Sequence, residues 1–476
     1  MDGATNRIGA VLRAIDDNLP QAQARLFDVL RIPSVSAQPA HAGDCLRAAA
    51  WFRDQLAGLG FAAEIVPTKG QPLVLARHPG PDGYAGPHVL FYGHYDVQPA
   101  EPLDLWTSPP FEPALAGGPR GERVVARGAV DDKGQVMMFV EALRAWHETG
   151  GGIPARVTVL MEGEEEVGSV NFEPWLAEAG GALNADVALV SDTGMWDIDT
   201  PAITTGLRGM IYVQMTVRGP ARDLHSGIYG GAALNPINAL TRALGDLHDE
   251  TGRIRIPGFY DDVCELSADQ AADWDRLSFD EGAFLGAVGL SSPAGERERP
   301  ALQRLWSRPT ADINGIWGGY TEAGAKTVIP SEASAKLSLR LVPDQNPDRI
   351  AAAARRFVEA RLPPDARLSW EVFSATPAIA VRADSPYVAA ARTALAEEYG
   401  RPALLMGSGG SIPVVSSFRR ILDVDTVLMG FGLADDQMHG PNEKFELTCF
   451  RRGARSHARL LAKFAGLPRR PLQAAA

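Results

Sequence analysis

The first stretch of the chain alternates short apolar runs with an amphipathic one. HVLFYGHYDV, ARVTVLMEG and ADVALVSD read as strands, while KGQVMMFVEALRAWHETG repeats its apolar positions at helical spacing. This texture predicts an α/β sheet whose strand ends carry the site. From about Gly206 the pattern changes: GMIYVQMTVRG, AKLSLRLVP and RLSWEVFSA read as strands, NPINALTRALGDLHDE and NPDRIAAAARRFVEARL as helices. Together they suit a small α+β layer. Within it, roughly Thr251 to Ser334 mixes polar, Pro and Gly residues. Short helices are expected there, because a compact domain rarely holds so long a structureless loop. After Ala383 the α/β texture resumes with SPYVAAARTALAEEYG, VDTVLMGFG and a closing helix from Glu446 to Ala465. The pattern therefore predicts a domain made of residues 1–206 and 383–476, with a second domain, 207–382, inserted into it.

Composition narrows the class. At 476 residues the chain is too long for a single core. It has 45% apolar and 22% charged residues and no run long enough to span a membrane. The N-terminus MDGATNRIGAVLRAIDD is amphipathic and places acids close behind its apolar residues, unlike an export signal. Cys45, Cys264 and Cys449 form neither a disulfide framework nor a thiolate zinc motif. A reducing, cytoplasmic setting fits. A net charge of −12 argues against nucleic acid or an anionic membrane as partner.

The candidate chemistry lies where apolar strands end. His94 and Asp96 are two apart at the end of HVLFYGHYDV, so on a regular strand their side chains point the same way. Asp131 and Asp132 stand at a helix start, where acids also serve as caps. Glu164, Glu165 and Glu166 follow VTVLMEG, and so many carboxylates at a partly buried strand end call for a cation. Asp192 ends VALVSD, and His439 lies in a loop after VLMGFG. Two imidazoles with carboxylates form a nitrogen and oxygen set suited to zinc, manganese or cobalt. A carboxylate shared between two metals and a further Glu as base would account for them all. Spacing alone leaves open which of the three glutamates and which of the two aspartates takes each role.

HYD, ARGAVDDKG, EGEEEVGS, SDTG, LHSGIYGG, KTVIP, SLRLVP, GGSIP and DDQMHGPNEKF, in this order from about Leu26 to Lys463, resemble the dinuclear metallopeptidases of the carnosinase and nonspecific dipeptidase type. The resemblance implies a zinc-peptidase-like α/β catalytic domain with an inserted α+β, ferredoxin-like lid and dimerisation domain. It implies two divalent cations per subunit, zinc first and manganese or cobalt otherwise. His94 and Asp192 would bind one and Glu166 and His439 the other, with Asp131 bridging and the Asp131–Asp132 peptide cis. Glu165 falls at the place of the catalytic base, and Asp96 at that of the residue orienting His94. His225 would reach the partner's site in a homodimer and stabilise the oxyanion; Arg340, Thr327 and Ser411 would hold the substrate's terminal carboxylate.

The expected activity is hydrolysis of the amide bond of a dipeptide or similar small amide bearing a free carboxylate. Ser408, in MGSGGSIP, stands where relatives carry an acid, which keeps an N-acyl amino acid deacylase or specialised amidase as the enzymatic alternative. A metal-free binding protein on a degenerate hydrolase fold is the alternative of another class.

Overall fold

The computed structural model describes residues 2–277, 279–410 and 412–469. The chain divides into one unit of Met1–Thr205, Val381–Leu405 and Pro413–Ala476, and a second of Gly206–Ala380 with Met406–Ile412.

In the first unit the strands lie in the order Ala62–Val66, Leu73–His78, Arg156–Glu162, His88–His94, Val187–Val190, Asp425–Leu428 and Ala202–Leu207. His88–His94 runs parallel to both Arg156–Glu162 and Val187–Val190, and the latter is parallel to Asp425–Leu428. Every residue of His88–His94 and Val187–Val190 is buried, as strands covered on both faces must be. Consecutive residues show the two faces. Phe91 stacks on Phe139 of the helix Lys133–Trp146 with ring centroids 3.9 Å apart, while Tyr92 meets Phe172 and Phe418, each at 5.6 Å. Lys133–Trp146 is buried on nearly all sides and packs on the closing helix Leu447–Ala465.

Parallel strands bring their carboxyl ends to one edge, so His94, Glu162, Val190 and Leu428 finish side by side. A small antiparallel sheet of Ala114–Gly118, Gly121–Val125 and Lys444–Glu446 ties two further loops together. One follows Val125 and the other precedes Lys444; Ala126 N donates to Glu443 O at 3.1 Å.

The second unit is a four-stranded antiparallel sheet in the order Thr310–Gly318, Glu332–Leu341, Gly209–Arg218 and Arg367–Thr376. The helices Pro236–Gly245 and Pro347–Glu359 cover one face, burying Leu240, Ala243, Ile350 and Phe357 against Ile211, Val213, Leu337 and Leu339. Each begins at an Asn whose side chain accepts backbone N–H bonds, Asn235 from Ile237 and Asn346 from Arg349, with Pro at the first helical position.

The stretch read as short helices does form them, at Ala268–Asp275, Glu281–Gly286 and Ala301–Trp306, but it also contains the strand Thr310–Gly318. That strand escapes the pattern because its register shifts between Ile313 and Gly315 and it leaves Ile313, Ile316 and Trp317 exposed, so its apolar residues miss the period of two. Its addition completes the order β-α-β-β-α-β of ferredoxin-like folds. Met406–Ile412 joins this unit because Arg208 grips it: the Arg208 amide donates to Gly410 O and its Nε to Gly409 O, both at 3.1 Å. Gly407 lies so close to Trp306 that a Cβ there would come within 2.5 Å of the Trp306 Cβ.

Candidate metal centre

His94 ends a wholly buried strand, and its imidazole is sealed from solvent. Its Nδ1 lies 3.1 Å from the Asp96 main-chain carbonyl and 3.4 Å from Asp96 Oδ1, which fixes the ring and turns Nε2 inward. There Nε2 stands 3.2 Å from Asp131 Oδ1 and 4.0 Å from Asp192 Oδ2, yet makes no hydrogen bond. The other oxygen of Asp131 is 3.0 Å from His439 Nε2, which lies 3.3 Å from Glu166 Oε2. Two donor groups result, His94–Asp131–Asp192 and Asp131–Glu166–His439, each with its ligand atoms within 4.8 Å of one another. Asp131 belongs to both. The Asp131–Asp132 peptide bond is cis, and Asp132 Oδ2 accepts from the His94 amide at 3.2 Å.

The three glutamates separate by their partners. Glu164 is pinned by Asn171 at 2.8 Å and lies against Gly70, where any Cβ would collide with it. Asp96 accepts the backbone N–H groups of Glu165 at 3.3 Å and Glu166 at 3.1 Å, as well as the Ser36 hydroxyl at 2.6 Å. It thereby sets the turn that carries both. Gln98 donates to Glu166 Oε2 at 2.8 Å. Gln98 is a further residue of the site, and its signal in the chain is that it continues the spacing of two set by His94 and Asp96.

Electrostatics show what the cluster lacks. Burial, reinforced by the neighbouring Asp132 and Asp131, holds the Asp192 carboxyl well above the usual range. Glu165 is raised for the same reasons, burial first, then Asp192, Glu166 and Asp131, with His94 opposing. Asp131 alone is pushed down: burial would raise it, but His439 and His94 outweigh burial. The same contacts act on the imidazoles. His439 is raised to about 10 by Asp131 and Glu166, and His94 rises well above its ordinary value although burial opposes it. So many carboxylates around two inward imidazole nitrogens demand positive charge, and a buried imidazole nitrogen without a hydrogen bond is a ready ligand. The residues fit divalent metal ions of the nitrogen- and oxygen-preferring kind.

The remaining sequence candidates belong to the second unit. His225 and Thr327 are neighbours: Leu224–His225 pairs with Val328–Ile329, and Ser226 N donates to Thr327 O at 3.1 Å. His225 is exposed, and its Nδ1 accepts from Gly227 N at 3.0 Å. Arg340 sits on the strand Glu332–Leu341 opposite Met210 and Thr310, half-buried at the edge of a cavity of about 700 Å³ that Arg208, Asp312 and Ser338 also line. Ser411 lies outside the described residues.

Fold and site together define a metal-dependent hydrolase. The chain matches Peptidase family M20/M25/M40 over residues 90–463 and belongs to that family. It is 29% identical to the Cys-Gly metallodipeptidase of Saccharomyces cerevisiae over 98% of this chain and 99% of that protein. With the Beta-Ala-His dipeptidase of Homo sapiens it shares 31% identity over 83% of this chain and 78% of the relative. The crystal structure of human carnosine dipeptidase 1 superposes with a TM-score of 0.83 at 28% identity, covering 97% and 99% of the two chains. Divalent metal ions are thus the cofactors. Among the described residues no helix is long and apolar enough to cross a membrane.

Proposed function

We propose that the chain hydrolyses the amide bond of dipeptides bearing a free carboxylate, at a centre of two divalent cations bridged by Asp131, with Glu165 as general base. The observation that carries this reading is the double approach of Asp131, 3.2 Å from His94 Nε2 through one oxygen and 3.0 Å from His439 Nε2 through the other. His94 and Asp192 would hold one cation, Glu166 and His439 the other. The cations, zinc in the first instance and manganese or cobalt otherwise, supply Lewis-acid activation of the amide carbonyl and of the attacking water.

Glu165 takes a proton from that water as its oxygen attacks the carbonyl carbon, then passes the proton to the amine as the carbon–nitrogen bond breaks. Glu165 is placed for that transfer because Asp96 accepts its backbone N–H at 3.3 Å, beside Glu166 on the same turn. Because Gly227 N–H occupies His225 Nδ1, the neutral ring carries its proton on Nε2. In a homodimer that N–H, aimed into the partner's site, would stabilise the oxyanion. The Arg340 fork, Thr327 and Ser411 would receive the substrate's terminal carboxylate. Cys45, Cys264 and Cys449 are all free thiols, consistent with a cytoplasmic enzyme.

One observation favours a second reading. The Ser408 hydroxyl accepts Gly410 N–H at 3.2 Å and offers no negative charge to a substrate ammonium, which suits an N-acyl amino acid deacylase. A single experiment tests both. The chain is stripped with chelator, reloaded with zinc, manganese or cobalt, and assayed on a panel of dipeptides and N-acyl amino acids. Restored dipeptide hydrolysis is expected. Hydrolysis of N-acyl substrates alone would favour the second reading, and no hydrolysis by the fully loaded protein would overturn both.

A further inference from the structure

We propose that Arg127 and Glu443 form a buried positioning pair that holds the Asp131 and His439 loops at one spacing, and so governs retention of the cation at Asp131–Glu166–His439 more strongly than that of its neighbour, which shares Asp131 but has the independently held His94. The inference rests on the two-cation reading above. Both side chains are buried, at 1% and 0% exposure. Glu443 uses both carboxylate oxygens on the turn that carries Asp131. Oε2 accepts Arg127 Nη1 at 2.7 Å and Gly128 N at 3.0 Å; Oε1 accepts Val130 N at 2.9 Å and Asp131 N at 3.1 Å. The second arm of the Arg127 fork crosses to the other loop, donating to His439 O at 3.2 Å and to Pro99 O at 3.1 Å. One ion pair thus grips the backbone of both residues whose side chains meet at 3.0 Å.

The His439 loop needs such a grip. His439 has φ 62°, Gln437 56° and Asn442 62°, left-handed conformations that residues with a Cβ keep only where their surroundings impose them. The His439 side chain is itself 57% exposed, so packing does little to hold it. His94 is secured differently, by strand pairing with Glu162 and by Asp96. A buried ion pair is a weak device for stability, since apolar residues of similar volume often serve as well. What an apolar pair could not do is accept three backbone N–H groups on one loop and donate to a carbonyl on the other.

The test uses the full-length, zinc-loaded protein and reads zinc per chain by mass spectrometry and zinc release to excess chromogenic chelator. Arg127→Lys keeps a cation opposite Glu443 but loses the second arm. Wild type is expected to hold two zinc ions released in two phases. In Arg127→Lys one phase accelerates by roughly 10–100-fold, the usual effect of removing a partner behind a metal ligand, and the other changes much less. The acceleration persists in an Asp192→Asn background and vanishes in a His439→Ala background. Should Arg127→Lys not fold, the uncharged pair Arg127→Met with Glu443→Gln, which leaves no lone buried charge, is read in the same way. Wild-type release from these variants, or equal acceleration of both phases, overturns the pair's role while leaving two zinc ions in wild type. Fewer than two zinc ions in wild type overturns the two-cation reading, and the pair's role with it.

Discussion

The two units assemble chemistry in opposite ways. In the first, a parallel sheet delivers His94, Glu165, Glu166 and Asp192 to one edge, and a small antiparallel sheet swings Asp131 and His439 into the same cluster. There His94, Asp131, Glu166, Asp192 and His439 are each within reach of another. In the second, His225 sits on a two-residue ladder with Thr327 just before its partner strand, and Arg340 lies along a strand of the larger sheet. His225 faces solvent, while Arg340 shares its cavity with Arg208, Asp312 and Ser338. A parallel sheet concentrates function because all its strands end on one side; an antiparallel one spreads its polar residues along faces and turns. The first unit should therefore carry both the cation ligands and the base, and the second should set rate and affinity with cation content untouched.

Glu165→Ala gives the largest expected effect. kcat falls by about 10²–10⁴-fold, the range of general-base catalysis, while zinc per chain stays at the wild-type value. Full activity in that variant would remove Glu165 from the mechanism. Next comes His225→Ala, with kcat lowered roughly 10²-fold or more as for the loss of an oxyanion donor, again at unchanged zinc content. Mixing it with Glu165→Ala protein should regain activity if subunits share sites, and no regain would argue for sites built within one subunit. Arg340→Lys is expected to raise KM about tenfold for dipeptides with a free carboxylate, and to leave substrates amidated at that end unaffected. An equal rise for both kinds would break the assignment.

The last effect concerns stability rather than chemistry, and it sharpens the contrast between the edge of the first unit and its core. His457 is buried among Phe91, Phe139 and Phe431, and its Nδ1 is 2.9 Å from Gly453 O. Burial lowers its pKa to about 3. Below an unfolded pKa of roughly 6.5 the unfolded chain gains a proton that the folded chain refuses, so stability is lost as pH falls from there toward the folded value. Between pH 7 and pH 5 this amounts to about 2 kcal/mol. Denaturant unfolding of wild type and His457→Gln at both pH values should show that much less acid sensitivity in the variant; equal slopes would mean that His457 is charged in the fold.

How much could be read from the chain differs between the units for the same reason. Apolar runs buried on both faces, such as His88–His94 and Val187–Val190, are legible without any partner, and the polar residue at each end marks itself. What spacing could not do was separate Glu164 from Glu165 and Glu166. In space Asn171 and Gly70 hold the first and Asp96 orders the backbone of the other two, and none of these lies in the glutamate run. Thr310–Gly318 was illegible because a bulge and an exposed edge erased its alternation. The helices facing that sheet were plain from their caps and periods, as Asn346 and the run Ile350, Ala354, Phe357 show. Arg127 and Glu443 lie inside the motifs ARGAVDDKG and DDQMHGPNEKF, but their pairing carried no signal, since a buried ion pair looks like two surface charges until the chain has folded.

The sheet order of the first unit also sets a timetable for biosynthesis. Asp425–Leu428 is laid between Val187–Val190 and Thr204, so a segment made late fills an interior place among segments made early. As the ribosome works along the chain, His94, Asp131, Glu166 and Asp192 emerge well before the strand that closes their sheet, and His439 emerges after it. A nascent chain halted inside the inserted unit holds four of the five ligand candidates and has a gap in its sheet. With the proposed ligand set, hydrolysis would be acquired only near the end of translation, once His439 joins the other four.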